Sequence, residues 1–259
     1  MSPISDTTAS AAEAQTTLRL QNAERLPVLL YLWMPLIAAA ALAVSWHLNP
    51  DFYKAYLVGE IGILEGIHVV VPLIAGVVAL RVLAMPEVRG DRLVFVWILL
   101  GLLGCIYIAG EEASWGQHYA NWLTPETWLA INDQGETNLH NTSSWLDQKP
   151  RTLLEFGVIV GGIVIPLLAL WRSTIRQGRF ALFLPPLVCL PTAVIGEIGK
   201  FWERLHGRGL ADWVLFYNAS EVQELYIYLF ILFYLIVFRN RVLARRVAGL
   251  PARPVAAGN

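Results

Sequence analysis

A chain of 259 residues that is 56% apolar and only 15% charged, with a mean hydropathy of +0.52, is too oily for an ordinary water-soluble domain and points to a membrane protein. A net charge of −1 leaves no basic surface from which counterions could be released, which excludes a nucleic-acid partner. The only two cysteines, Cys105 and Cys189, stand inside apolar runs as small hydrophobes, so neither a thiolate metal pair nor a redox role is indicated.

In chain order, residues 1–27 are polar, contain Glu13 and Glu24, and lack the basic start and short apolar core of a cleavable leader. They are expected to form a mobile or weakly helical cytoplasmic tail. Six stretches are then long and apolar enough to cross the hydrocarbon as helices: roughly 28–47, 60–80, 93–111, 153–171, 180–200 and 219–238. This predicts an all-α polytopic bundle over 28–238 with a long loop, 112–152, between the third and fourth helices. Residues 239–259 form a basic tail. Pro35, Pro72, Pro166, Pro185, Pro186 and Pro191 are expected to kink the helices rather than break them.

The distribution of Lys and Arg sets an orientation. With the N-terminus inside, thirteen of them fall on the cytoplasmic side and six on the other, so both termini are predicted to be cytoplasmic. Every acid in or bordering a span then lies at the outer face, among them Glu60, Glu65, Glu111, Glu112, Glu155, Glu197, Glu203, Glu221 and Glu224. The uncharged part of the last span, Leu225–Phe238, is too short to cross alone. Its helix must therefore start near Ser220 and draw Glu221 and Glu224 to the boundary, with Ser220 and Gln223 spaced as a capping box. Glu65 is placed about five residues inside its helix, roughly 7 Å deep, where a charge is expensive and usually functional.

Three groupings carry chemistry. A third helix that continued past Gly110 would put Glu111, Ser114 and His118 on one face, with Glu112 turned toward a neighbour. That is either a metal or proton-handling site or an interfacial helix end. Glu65 and His68 have the Glu-x-x-His spacing of di-metal bundles, although only one such pair is present, and a buried Glu–His hydrogen bond is the alternative. Glu136 and His140, with Asn138 and Asn141 beside them, would align at i, i+4 on a short helix or else lie on a solvated loop. Glu197 and Lys200, followed by Arg204, read as an ion-paired helix end. Six of the ten tryptophans border the outer loops, where they lay the loop on the leaflet or wall a cavity for a lipid or prenyl group.

GEEASWGQ followed by QGETNLHN resembles a recurrent pattern of uncharacterised multi-pass bacterial inner-membrane proteins. The resemblance implies that location and no established activity. A second likeness is to CAAX-type intramembrane glutamic proteases, whose Glu-Glu-x-x-x-Arg motif aligns Glu111 and Glu112. Here the arginine position is Gly116, and the later histidine motifs have no counterpart in the fourth and fifth spans.

The sequence therefore predicts an outward-facing site with Glu111, Glu112, His118, Glu136 and His140 as catalytic candidates. Glu65, His68, Glu112, His118, Glu136, His140, Glu221 and Glu224 are the candidate ligands of a divalent metal such as Zn, Fe, Mn or Ca. Hydrolysis or transfer on a lipid-linked substrate is the expected reaction class. The alternatives are an accessory subunit that uses the loop to dock on membrane-protein partners, and an ion-coupled transporter. One-sided charge and the lack of an inverted repeat weigh against the transporter.

Overall fold

The computed structural model describes residues 15–59, 62–132, 135–139, 142, 144–172, 174–175, 178 and 180–253, with backbone alone for 144–150. All regular elements among them are helical. Six helices have the length and composition to cross a membrane: α1 (Leu29–Leu48), α2 (Ile63–Leu83), α3 (Arg92–Glu112), α4 (Arg151–Trp171), α5 (Ala181–Gly207) and α6 (Ala219–Val247). The chain is an integral, multi-pass membrane protein. Its outward surface agrees, with Ile37, Val77 and Leu100 exposed on three different helices.

The packing centre is α6, which lies against α2 and α5, while α2 also packs along α3. Aromatic side chains fill the middle: Tyr226, Phe230 and Phe233 join Leu64 and Val71 in one buried cluster, and Phe238 joins Val82 and Ile98 in a second. Close approach of α4 to α5 and α6 depends on Gly162. A Cβ there would stand 2.7 Å from Ala193 Cβ and 2.8 Å from the Phe230 ring.

Helix irregularities coincide with proline. Pro35 and Pro166 each follow a π-helical segment (Leu29–Trp33 and Ile159–Val164) at the start of the next α segment, as expected where the i→i−4 ladder loses a donor. Pro185 and Pro186 precede the short 3₁₀ turn Leu187–Cys189, after which α5 becomes α-helical. Asp91 caps α3 by accepting from the amides of Leu93 (3.1 Å) and Val94 (3.3 Å).

Several expectations need correction. α6 does not stop at Phe238 but runs to Val247, so the first part of the basic tail is helix. The capping box at Ser220 is not formed. Glu203 on α5 accepts from the Ala219 amide instead (3.2 Å), Lys200 Nζ donates to Ser220 Oγ (2.5 Å), and Gln223 donates to Glu197 (3.1 Å). Lys200 consequently pairs with Glu203 rather than Glu197, and Arg204 pairs with Glu155 at 2.6 Å. Glu65 lies in the first turn of α2, at the mouth of the bundle, because the helix starts only at Ile63. Residues 15–23 are helical, and Glu24 beyond them binds Arg241 (2.6 Å), which fastens the N-terminal segment to α6.

Candidate metal centre and its outer cavity

The acidic helix ends converge on two histidines. The inner of the two is His68, on α2, one turn below Glu65. Its side chain is fully buried, and Nδ1 lies 3.5 Å from Glu112 Oε2 at the end of α3 and 3.6 Å from Glu221 Oε2 on α6. Neither ring nitrogen has a hydrogen-bond partner. One donor atom each from His68, Glu112 and Glu224 lie within 4.8 Å of one another. Bonds of about 2.0–2.2 Å to a transition metal would require these atoms to draw closer together around the ion. The carboxylates are aimed by neighbours. Tyr228 donates to Glu112 Oε1 (2.6 Å) and sets its ring edge-on to His68, and Arg151 at the start of α4 binds Glu224. An imidazole with two carboxylates suits a divalent transition metal, and such an ion would satisfy one of the two orphaned ring nitrogens.

The outer histidine is His118. Its Nδ1 is 3.3 Å from Glu65 Oε1, and its Nε2 is 2.9 Å from Glu136 Oε1 and 3.0 Å from Ser114 Oγ. A break in the helix creates this geometry, not the continuation that the sequence led us to expect. α3 ends at Glu112, and Ser114, Trp115 and Gly116 follow with φ of 44°, 53° and 103°. Three successive left-handed residues turn the chain back on itself, a conformation that costs L-residues about 1–2 kcal/mol each. At Gly116 any Cβ would also meet the Trp122 ring at 3.2 Å.

Hydrogen bonds to the returning loop hold the turn. Ser114 Oγ donates to Glu136 Oε2 (2.7 Å), Asn138 Nδ2 donates to the same oxygen (2.6 Å), and Thr137 Oγ1 donates to the Ser114 carbonyl (3.0 Å). Asn132 in turn grips Asn138 (2.9 Å) and accepts from the Glu136 amide (3.0 Å). Burial pushes the Glu136 carboxyl up, but the bonds from Ser114, His118 and Asn138 and the His118 charge outweigh it and hold the group below its ordinary value. Ser114, His118 and Glu65 are spaced like a nucleophilic triad. Ser114 is fully buried, though, and already bonded to Glu136, so it orients His118 rather than attacking a substrate.

Two cavities open beside these groups. One, of about 200 Å³, is lined by Glu112, Glu221, Glu65, Glu136 and His118 among others; the second, of about 630 Å³, shares Glu65, Glu112, His118 and Glu136 and is walled by Tyr119 and Trp122. Tyr53, whose phenol is pushed up by burial and the Glu221 charge, stays a neutral donor to the Tyr217 carbonyl (3.1 Å).

The structure thus brings together Glu65, His68, Glu112, His118, Glu136, Glu221 and Glu224 at one end of the bundle. Glu65 and His68 do not form a pair, because each faces a different partner. Glu111 stands apart: its two oxygens accept from Trp115 Nε1 and the Leu139 amide, both at 2.7 Å, so it fastens the loop. Residues 135–139 form no helix, and Glu136 meets His118. His140, Asn141 and Glu60 lie outside the described residues. Tyr228 and Arg151 went unrecognised in the sequence. Tyr228 is four residues after Glu224 and seven after Glu221, a spacing that puts all three on one helix face. Arg151 is one of few basic residues at the acidic end. Comparisons with protein-family models, curated proteins and solved structures find no match.

Proposed function

We propose that the protein is a metal-dependent hydrolase or transferase of the bacterial inner membrane, acting on a lipid-linked substrate from the extracytoplasmic side. The positive-inside count supports cytoplasmic termini and hence an outward acidic end. One observation carries the reading: His68 is completely buried, neither ring nitrogen has a hydrogen-bond partner, and Nδ1 faces the Glu112 and Glu221 carboxylates. An orphaned buried polar group costs about 1–3 kcal/mol, a burden that a divalent ion on His68, Glu112 and Glu224 would remove.

Such an ion supplies Lewis acidity toward a carbonyl or phosphoryl oxygen. The chain's own residues supply the rest. Tyr228 and Arg151 fix the two carboxylates, and His118, whose two ring nitrogens both face carboxylates, is placed to give a proton to the leaving group while Glu65 and Glu136 hold its ring and balance the charge. Exposed Tyr119, Trp122 and Leu123 on the loop suit the water–lipid interface, where a lipid-linked substrate presents its head. Metal analysis of the purified protein beside His68→Ala, Glu112→Ala and Glu224→Gln tests the reading. Near-stoichiometric Zn, Fe or Mn that disappears in all three variants is expected. A folded wild type that takes up none of these metals on reconstitution overturns it.

A further inference from the structure

We infer that the cavity beside the metal centre receives the ammonium end of a zwitterionic amino-phospholipid, a headgroup of the ethanolamine class. This names the substrate class of the site proposed above and rests on that reading. Charge favours a cation. The cavity of about 630 Å³ is lined by Glu65, Glu112 and Glu136 with His118, and among the described residues no lysine or arginine lines it. A phosphate or other anionic terminal group would meet repulsion there, whereas a cation is attracted and its field is focused by the apolar surroundings.

Shape and surface favour the same ligand. Tyr119 and Trp122 are exposed aromatic side chains on the wall, and the electron-rich faces of such rings attract organic ammonium groups. Trp122 is held in place: Gln117 donates to its carbonyl (3.3 Å), and Gly116 leaves its ring room that a Cβ, 3.2 Å away, would crowd. Gly62 and Gly66 also line the cavity, and a Cβ on Gly66 would meet nothing within 4 Å, so this part of the lining is open. The volume lies within the usual small-molecule range of about 300–1,000 Å³.

The cavity also adjoins the metal centre. Glu112 belongs both to this cavity and to the cluster around the orphaned, fully buried His68. A ligand in the cavity therefore has the cation-seeking metal centre, with the Arg151 guanidinium behind it, on one side and the carboxylate and aromatic wall on the other. A phosphodiester bearing an amine on a two-carbon arm matches that order of charges. Of the Glu65 carboxylate, only Oε1 is engaged among the described residues, by His118. The other oxygen remains available to accept from a primary ammonium, which favours ethanolamine over a quaternary amine.

The experiment is native mass spectrometry of the protein in uncharged micelles titrated with short-chain phosphatidylethanolamine, phosphatidylcholine or phosphatidylglycerol, with metal content read in the same samples. Retention in the order ethanolamine, choline, glycerol is expected. Glu65→Gln and Trp122→Ala should each lower ethanolamine-lipid retention about five- to tenfold while leaving metal content unchanged. Equal or better retention of the glycerol lipid, or full retention by both variants, overturns the inference. Metal held without any headgroup preference defeats this inference alone. A headgroup preference in a protein that holds no metal defeats the metal reading and leaves the headgroup site standing.

Discussion

The two ends of the bundle handle charge in opposite ways. At the end that carries the termini, acids meet guanidinium partners: Arg241 takes Glu24 and the carbonyls of Leu182 and Leu184, Arg246 takes Glu87 at 3.2 Å, and Arg253 takes Asp91 at 2.9 Å. At the other end, beside the pairs Lys200–Glu203 and Arg204–Glu155, five carboxylates (Glu65, Glu112, Glu136, Glu221 and Glu224) gather around two imidazoles and the Arg151 guanidinium. Matched pairs lock a structure. A surplus of carboxylates about a buried histidine instead calls for a cation from outside, and this contrast separates scaffold from site.

The contrast can be broken most forcefully at its paired end. Arg241→Ala removes the brace that ties the N-terminal segment and the start of α5 to α6 and leaves Glu24 and several carbonyls without their donor. A loss of about 3–5 kcal/mol is expected, seen as a lowered Tm in detergent, with metal content unchanged in the protein that remains folded. If metal is lost in step with stability, the two ends are not independent.

At the acidic end, Glu136→Gln should loosen the returning loop by about 1.5–3 kcal/mol, since it weakens charge-assisted bonds from Ser114, His118 and Asn138. The same interaction predicts a pH dependence. The folded-state value of Glu136 lies below its unfolded one, so its stabilisation is complete above the ordinary glutamate value of about 4.3. It declines as pH falls below that point and is gone below the folded value. Emission from Trp115 and Trp122 should report the loop's release on acidification, and the transition should flatten in Glu136→Gln.

His68→Leu gives a smaller effect of opposite sign. It replaces an orphaned buried polar ring with an apolar side chain, so the metal-free protein should gain about 1–2 kcal/mol while metal uptake vanishes. A destabilised metal-free variant would mean that His68 is a structural residue. The smallest change belongs to Arg204→Ala, whose half-exposed pair with Glu155 is expected to contribute less than about 1 kcal/mol.

Helix number, span positions and the gathering of acids at one end were legible because the bilayer imposes a length and allows few charges. Glu221 and Glu224 could be placed at the boundary by counting apolar residues. The pairings were not legible. Whether Glu65 meets His68 or His118 depends on where α2 starts and on the left-handed run at Ser114–Gly116, and no periodicity encodes a run of positive φ on Ser and Trp. Likewise, Ser220 and Gln223 fit a local cap, but α5 supplies a better acceptor in Glu203, and the two side chains cross to Lys200 and Glu197. Glu111 and Glu112 are neighbours in sequence with different duties, because one faces the loop and the other α6. Arg151 and Tyr228 escaped notice for the same reason: their relevance lies in which helix stands opposite.

The position of α6 after the five other spans has a consequence for how the protein is made. Glu221, Glu224 and Tyr228 are the final pieces of the site to leave the ribosome, and the first amide of their helix takes its acceptor from α5. During synthesis His68 and Glu112 would already be in the membrane with their third partner still missing. A chain cut short after α5 could therefore neither complete the ion-binding set nor close the acidic cavity. Insertion of α6 and readiness of the site would be one and the same event.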